Sequence, residues 1–214
     1  MNRRNVLKSI AMSALAGTAG VAHAQQSGSS RRGGNVIKPR RLRAGDTIGL
    51  VAPASNARED EDIRFAIDIV ESLGFRVKPG QHLFDRNQYL AGTDKERADD
   101  VNRMFADDEV DGIFCLRGGY GTPRMLPFLD YAAIATKPKV LLGYSDITAL
   151  LTAIFVKTGI VGFHGPIANQ TYSDYTLAEF EKVLRHPVDN VVIAAAPPFE
   201  DGPGKVDRDN RITR

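Results

Sequence analysis

Short, continuous apolar runs alternate with longer amphipathic segments along most of this 214-residue chain. The clearest apolar runs are "DTIGLVAP" (46–53), "VDGIFCL" (110–116) and "KVLLG" (139–143). Strands buried on both faces of a parallel sheet read as continuous apolar runs, and the helices between them carry an apolar stripe. The pattern therefore predicts a three-layer α/β/α domain with a mostly parallel sheet.

The remaining elements follow from the same alternation. The segment 91–107 is a polar amphipathic helix in which Thr93 is a predicted N-cap and Glu96 completes a capping box. Further strands are expected over 75–80, 160–166 and 191–196, and further helices over 58–74, 122–135 (interrupted at Pro127), 145–159 and 173–187.

Three loops leave strand ends at one edge of the predicted sheet. They are "RGGYGT" (117–122), "GYSD" (143–146) and "FHGP" (163–166). In open parallel sheets, ligands bind beyond the carboxyl ends of the strands. We therefore expect the functional site where these three loops converge.

A predicted strand turns sharply into a predicted helix at Ser145. Serine is a common helix N-cap, so one interpretation is purely structural. The other is a nucleophile elbow, in which the turn exposes the hydroxyl and the helix N-terminus offers free N–H groups to an oxyanion. The usual second glycine of an elbow is absent, since Asp146 and Ile147 occupy that region. The residues alone leave both interpretations open.

The "RGGYG" loop (117–121) is the second candidate for a binding role. Gly118 and Gly119 would let the backbone approach a ligand closely, and Arg117 could hold a carboxylate with two hydrogen bonds. The alternative is a loop that needs glycine only for positive φ angles. A phosphate-binding loop is excluded, because no Gly-Lys-Ser/Thr follows and the spacing is not that of a dinucleotide site.

Two other side chains were weighed as catalytic groups. His164 could serve as a base for Ser145, or could simply be bonded to loop backbone. Cys115 falls inside a predicted strand and reads as a small buried hydrophobe rather than a nucleophile. It is the one cysteine of the chain, so neither a disulfide within the chain nor a cysteine-based metal cluster can form.

The N-terminal residues indicate an export signal. Basic "MNRRNVLK" is followed by the weakly apolar "SIAMSALAGTAGVA", and "AHA" (22–24) fits a signal-peptidase site, so residues 1–24 are expected to be removed. The paired Arg3 and Arg4 resemble a twin-arginine signal, with an ordinary secretory signal as the alternative. The apolar run is too short for a stable membrane anchor. We expect a periplasmic protein.

Beyond the signal, we expect a flexible tether over 25–41, one domain over 42–197, and a linker over 198–214. The net charge is +2, and omitting Arg3, Arg4 and Lys8 leaves 25 basic against 26 acidic side chains. A nearly neutral domain gives no sign of a nucleic-acid partner.

Four motifs together resemble the LD-carboxypeptidase family of serine peptidases, which includes murein tetrapeptide carboxypeptidases and microcin C self-immunity peptidases. The resemblance runs from about residue 42 to about residue 195, and it implies a fold like that of flavodoxin or the class I glutamine amidotransferases. The motifs are "GDTIGLVAPAS" (45–55), "GIFCLRGGYGTPRMLPFLDY" (112–131), "KPKVLLGYSDITALL" (137–151) and "GFHGP" (162–166).

The resemblance assigns roles to individual residues. It implies that Ser145 is the nucleophile and that the backbone N–H groups of Asp146 and Gly119 form the oxyanion hole. It also implies chemistry that needs no metal or organic cofactor. For substrate binding we expect contacts from Arg117, Gly118 and Tyr120, with either Arg117 or a residue of the second domain holding the terminal carboxylate. The family's catalytic Glu and His belong to a second, C-terminal domain, and no position of this chain matches either. The resemblance therefore implies the nucleophile-bearing half of a two-domain enzyme that is nearly inactive alone, with 198–214 as the start of the second domain.

The implied reaction is hydrolysis of the amide between an L-centre and a terminal D-amino acid in a peptidoglycan-derived peptide, through an acyl-enzyme. Family members are often dimers, so a homodimer is an expected assembly. Three rival interpretations were considered: a non-catalytic periplasmic domain that binds muropeptides, a glutamine-amidotransferase-like or nucleotide-binding domain, and a Ser145–His164 dyad within this domain.

Overall fold

The structure is a computed structural model that describes residues 35–196 and the backbone of two short strands, 205–206 and 212–213. The export signal expected over 1–24 and most of the linker expected over 198–214 lie outside the described residues. Those two short strands pair antiparallel with each other.

Five parallel strands form the sheet, in the spatial order β2-β1-β3-β4-β5. The chain first runs outward from β1 to β2, then returns to the other side of β1 and continues outward. Such an order places a topological switch point between β1 and β3, where the loops on either side diverge and leave a crevice. The strands are β1 (Thr47–Val51), β2 (Arg76–Pro79), β3 (Gly112–Cys115), β4 (Val140–Gly143) and β5 (Phe163–His164).

Helices cover both faces of this sheet, as the alternation of apolar runs predicts. The capping box at the start of the second helix is present, because the Thr93 hydroxyl accepts from the Glu96 amide and the Glu96 carboxylate accepts from the Thr93 amide. The helices are α1 (Asp60–Ser72), α2 (Asp94–Ala106), α3 (Thr122–Met125), α4 (Tyr131–Thr136), α5 (Thr148–Thr158) and α6 (Asp174–Phe180), the last continued by a π-helical turn over Glu181–Arg185.

Successive strand residues face opposite sides of the sheet, which divides the core in two. Phe114 belongs to the cluster under α1 and α6, whereas its neighbours Ile113 and Cys115 belong to the cluster under α2, α4 and α5. All three side chains are fully buried. The three-layer α/β/α architecture expected from the sequence is thereby confirmed.

Two expected elements differ from the structure. The apolar run 191–196 forms no strand, and its Val192 and Ile193 are exposed. Within the described residues this segment pairs with neither edge strand of the sheet, and the Ala194 carbonyl instead accepts a hydrogen bond from the Tyr175 hydroxyl of α6. The helix expected over 122–135 is divided into α3, a 3₁₀ turn over Leu126–Phe128, and α4. Proline has no N–H to donate and clashes with the preceding turn, so the break lies at Pro127.

Residues near the expected domain boundary at 42 contact the domain. Ile37 forms a parallel bridge with Ile160, and Arg40 bonds the carboxylates of Asp46 and Asp111 at 3.1 and 2.7 Å. No helix in the described part of the chain combines the length and the apolar character needed to cross a bilayer.

Candidate active site

Ser145 lies in the turn between β4 and α5 with its side chain exposed. Its φ angle is 63°, in the left-handed region that residues with a β-carbon rarely adopt. Such a conformation costs about 1–3 kcal/mol and persists only where the surrounding structure imposes it. Neither the 3₁₀ turn over Ser145–Ile147 nor α5 has a side-chain cap. The geometry therefore favours the elbow over the N-cap that the sequence left open.

The turn can close because β4 ends in glycine. A β-carbon built at Gly143 would lie 2.8 Å from Ile147 Cγ2 and 3.1 Å from Cys115 Cβ. Both distances are shorter than ordinary van der Waals contacts, so a larger residue would push the elbow away from β3. Gly143 thus provides the space for the tight turn, which two glycines usually provide in a nucleophile elbow.

The glycine pair of the loop after β3 lies directly beside the elbow. A β-carbon at Gly118 would lie 2.9 Å from Ser145 Cβ and 3.2 Å from Ser145 Oγ. Gly119 has a φ of 117°, and a β-carbon there would lie 2.3 Å from Ser55 Oγ. The backbone of this loop is therefore held between Ser145 on one side and Ser55 on the other.

Two backbone amides are the candidates for an oxyanion hole: the Asp146 amide directly follows Ser145 along the chain, and the Gly119 amide belongs to the glycine loop that packs against Ser145. Within residues 35–196, neither the Asp146 nor the Gly119 amide donates a hydrogen bond to a protein group. Free, fixed N–H groups of this kind are what an oxyanion hole requires. Their assignment to that role stays a prediction, as does the role of Ser145.

A cleft of about 380 Å³ opens over these residues. It lies at the switch point between β1 and β3, where the order of the strands predicts a ligand site. Its lining is strongly polar and carries two arginines and one aspartate. The lining residues are Arg58, Asp62, Arg117, Gly118, Gly119, Tyr144, Ser145, Ile167 and Asn169.

Of the three predicted substrate contacts, two line this cleft and one does not. Arg117 and Gly118 are in the lining, and Arg117 Nη1 donates to the Asn56 carbonyl at 3.2 Å, which holds the guanidinium in place. Tyr120 lies outside the lining, 62% exposed, with its ring 6.0 Å from that of Tyr89.

His164 is the last residue of β5, the strand beside β4, and its ring lies near the elbow against Tyr144. The His164 and Tyr144 rings pack edge to face with their centroids 6.1 Å apart, and Gln170 Nε2 donates to the Tyr144 hydroxyl at 2.8 Å. Among the described residues, His164 makes no hydrogen bond to Ser145 Oγ. The structure therefore brings the imidazole to the site without pairing it with the serine.

Cys115 is fully buried in β3, as the sequence predicts. Burial raises the pKa of its thiol well above the usual range, because the apolar core disfavours the thiolate. A buried neutral thiol is a poor nucleophile. This removes the cysteine that a glutamine-amidotransferase-like mechanism would need.

One side-chain cluster has the composition of a metal site. His82, Asp85 and Glu96 have ligand atoms within 4.8 Å of one another. The carboxylates are already engaged, since Asp85 bonds His82 Nδ1 at 2.6 Å and Glu96 accepts from the Thr93 amide at 2.7 Å. The cluster is separate from the Ser145 cleft, so it is not assigned to the chemistry there.

Sequence reasoning missed several residues that shape the site. Ser55 Oγ accepts from the Tyr120 amide at 3.1 Å, and the Asp146 carboxylate accepts from the Thr122 amide at 2.8 Å. Arg58 and Asp62 also line the cleft, although the sequence places them only at the start of a predicted helix. No local pattern marks Ser55 or the Asp146 carboxylate, because their partners lie 65 and 24 positions away in the sequence.

Comparison with known proteins adds independent information. The sequence profile of the LD-carboxypeptidase N-terminal domain matches residues 48–165, more than half of the chain. A "Probable murein peptide carboxypeptidase" of Bacillus subtilis is 46% identical over 130 residues, which are 61% of this chain and 40% of that protein. The microcin C7 self-immunity protein MccF of Escherichia coli is 35% identical over 151 residues, 67% of this chain and 44% of that protein.

Solved structures agree with the sequence matches. An MccF-like protein from Bacillus anthracis superposes with a TM-score of 0.66 at 32% identity, covering 70% of this chain and 47% of that one. The chain thus spans about half the length, or less, of the relatives it matches.

Proposed function

This chain belongs to the LD-carboxypeptidase family, and on that premise we propose that Ser145 is the nucleophile of a serine peptidase acting on peptidoglycan-derived peptides. The scissile bond is the amide between an L-centre and a terminal D-amino acid. One observation carries the proposal: an exposed serine at φ 63° with Gly118 packed against it, in a polar cleft at the switch point. The murein peptide carboxypeptidase name of a 46%-identical relative supports the substrate class.

The proposed chemistry proceeds in two steps. Ser145 Oγ attacks the carbonyl carbon of the L-residue while its proton passes to a base, and the resulting oxyanion accepts from the Asp146 and Gly119 amides. The C–N bond then breaks, the D-amino acid leaves with a proton on its amine, and the acyl-enzyme remains. Water attacks the ester and releases the shortened peptide and the free hydroxyl.

The base is proposed to come from outside the described residues. Between 35 and 196 no side chain hydrogen-bonds Ser145 Oγ, and the family resemblance places the catalytic Glu and His on a second domain. A serine hydroxyl without a base is a poor nucleophile, and loss of the base costs several orders of magnitude in rate. The 214-residue chain by itself is therefore proposed to be nearly inactive, with only a residual rate from its oxyanion hole.

The cleft suggests how the peptide is held. Arg58 and Arg117 place two permanent positive charges in the same lining as Ser145. A peptide that ends in a D-amino acid presents a free carboxylate beside the scissile bond, and guanidinium groups bind carboxylates strongly. We assign carboxylate recognition to Arg117, the more rigidly held of the two.

Export and assembly are separate proposals. The segment 1–24 is proposed to direct the folded protein to the periplasm by the twin-arginine route, where it would meet peptidoglycan fragments. Replacing Arg3 and Arg4 together by lysine should leave the protein in the cytoplasmic fraction.

We also propose a homodimer, because members of the family are often dimers. Sedimentation velocity of the purified protein gives the mass of the particle and so tests this proposal directly.

The nucleophile is tested with a fluorophosphonate probe on the 214-residue chain at about pH 9, where hydroxide can take the serine proton in place of the catalytic base. Phosphonylation forms an O–P bond and expels fluoride, and peptide mapping should place the added mass on Ser145. Ser145→Ala is the matched control and should take no label. Release of D-alanine from a tetrapeptide by the same preparation should be barely above background.

Two outcomes would contradict these statements. A folded wild-type chain that stays unlabelled even at about pH 9, where hydroxide can act as the base, would favour the non-catalytic muropeptide-binding domain, in which the serine takes no part in chemistry. Rapid release of D-alanine by the 214-residue chain would show that its base lies within it, contrary to the proposed division of the catalytic groups.

A further inference from the structure

Three consecutive residues of the loop after β3 are each held by a side chain from a different part of the chain. The Tyr120 amide donates to Ser55, and the Thr122 amide donates to Asp146. Between them, the Gly121 carbonyl accepts from Arg97 Nη1 at 3.1 Å. Backbone that is anchored at every residue has little freedom to move relative to its anchors.

Arg97 is the most deeply placed of these anchors. It lies on α2 with its side chain 0% exposed. Besides Gly121 it donates to the Pro53 carbonyl, and its Nη2 pairs with Asp94, which also binds Arg124 Nη2 at 3.0 Å. Burial lowers the pKa of Arg97, and the Asp94 carboxylate opposes that shift. A guanidinium is tolerated at such depth because its charge is paired with Asp94 and both of its Nη atoms donate hydrogen bonds. Its Nε has no hydrogen-bond partner among the described residues.

The two carbonyls that Arg97 holds belong to the two walls of the switch point. Pro53 is in the loop after β1, two residues before Ser55, and Gly121 is in the loop after β3. The Ser55 side chain packs against Gly119 so closely that there is no room for a β-carbon on Gly119. Fixing Pro53 therefore also fixes the side chain that positions the Gly119 amide.

We propose that Arg97 is a positioning residue for the proposed peptidase. Its guanidinium group hydrogen-bonds both the loop after β1 and the loop after β3, and it thereby positions the Gly118–Gly119 backbone beside Ser145. The inference rests on the proposed function for its catalytic meaning. Arg97 touches no substrate. Its effect on rate comes through the placement of the Gly119 amide, since a misplacement of about 1 Å at a reacting centre costs on the order of 100-fold.

The test compares Arg97→Met with Lys139→Met in the 214-residue chain. Lys139 is the matched control, because it is also a buried cation that donates to two backbone carbonyls, those of Met104 and Asp107. It precedes β4, at the opposite end of the sheet from Ser145. Both replacements remove a buried charge and both are expected to destabilise the fold.

Two readouts separate positioning from stability. The first is amide hydrogen exchange at Tyr120 and Thr122, which should rise at least about tenfold in Arg97→Met while the amide of Ile113 in β3 stays protected. The second is the kinetics of fluorophosphonate labelling, normalised to the folded fraction. The maximal labelling rate should fall at least about tenfold with the probe's half-saturating concentration unchanged, as expected when only transition-state contacts are lost. Lys139→Met should leave both readouts as in the wild type.

Arg97→Lys covers the case in which the methionine variant does not fold. Lysine keeps the charge but lacks the planar fork, so it should give an intermediate loss in both readouts. Unchanged exchange at Tyr120 and Thr122 in a folded Arg97 variant overturns the inference, and so does increased exchange with an unchanged labelling rate. If the wild type takes no label at Ser145, the proposed function fails, whereas the exchange experiment still decides whether Arg97 holds the loop.

Discussion

Gly118 packs so closely against Ser145 that a β-carbon on the glycine would lie 2.9 Å from the serine's own β-carbon. The two residues belong to loops that follow different strands, β3 and β4, which are neighbours in the sheet. The parallel pairing of those strands places both loops at one edge. The contact joins the proposed nucleophile to the proposed oxyanion loop.

Replacing Gly118 by alanine should therefore displace Ser145 from the loop. We expect the labelling rate to fall at least about tenfold and the free energy of unfolding to fall by about 1–3 kcal/mol. Chemical denaturation and probe kinetics measure the two effects. Gly112→Ala is the control: its β-carbon would meet Leu42 Cδ2 at the same 2.9 Å, at the start of β3. It should cost stability alone. Equal labelling losses in the two variants would argue against a specific role for the Gly118 contact.

The φ angle of Ser145 predicts that glycine there is more stable than alanine. Both Ser145→Gly and Ser145→Ala should abolish labelling, but glycine relieves the strain of a β-carbon at φ 63° and should be more stable by about 1 kcal/mol. Thermal or urea unfolding gives the difference. At Thr152, an exposed residue within α5, the order should reverse, with alanine more stable than glycine by about 1 kcal/mol. The same order at both positions would mean that the elbow is unstrained.

Removing the His164 imidazole should change the labelling rate of the 214-residue chain by less than about threefold. No hydrogen bond joins this ring to Ser145 Oγ among the described residues, so hydroxide rather than imidazole should take the proton. The rate of the wild type should consequently keep rising between about pH 6 and about pH 9 instead of reaching the plateau that a general base in the site would give. A plateau that His164→Ala abolishes would establish the Ser145–His164 dyad.

Cys115 should resist alkylation in the folded protein. Its pKa is raised by burial, so the reactive thiolate is scarce at any pH up to about 9, and the core excludes the reagent. Iodoacetamide should add mass only in denaturant, at a rate that follows global unfolding. Because this is the one cysteine in the sequence, the mass change is unambiguous. Fast modification of the native protein would reopen a thiol-based mechanism.

The alternation of apolar runs was enough to predict the three-layer architecture and the convergence of three loops at one edge. That inference works because parallel strands buried on both faces leave a signal in every stretch of the chain. It failed at 191–196, where the apolar run pairs with no strand of the sheet. It also did not decide whether Ser145 is a helix N-cap or the serine of a nucleophile elbow, because residue identity alone does not fix a φ angle.

The residues alone were sufficient to predict how β1 to β5 alternate with helices, to show the motifs "RGGYG" and "GYSD", and to reveal the resemblance to a peptidase family, because each of these features is carried by neighbours along the chain. Two contacts became known only from the folded structure: Gly118 packs against Ser145, and Arg97 bonds both the Pro53 and the Gly121 carbonyls. Those contacts join residues 24 to 44 positions apart. They arise from how the strands are ordered across the sheet, which no local pattern of side chains specifies.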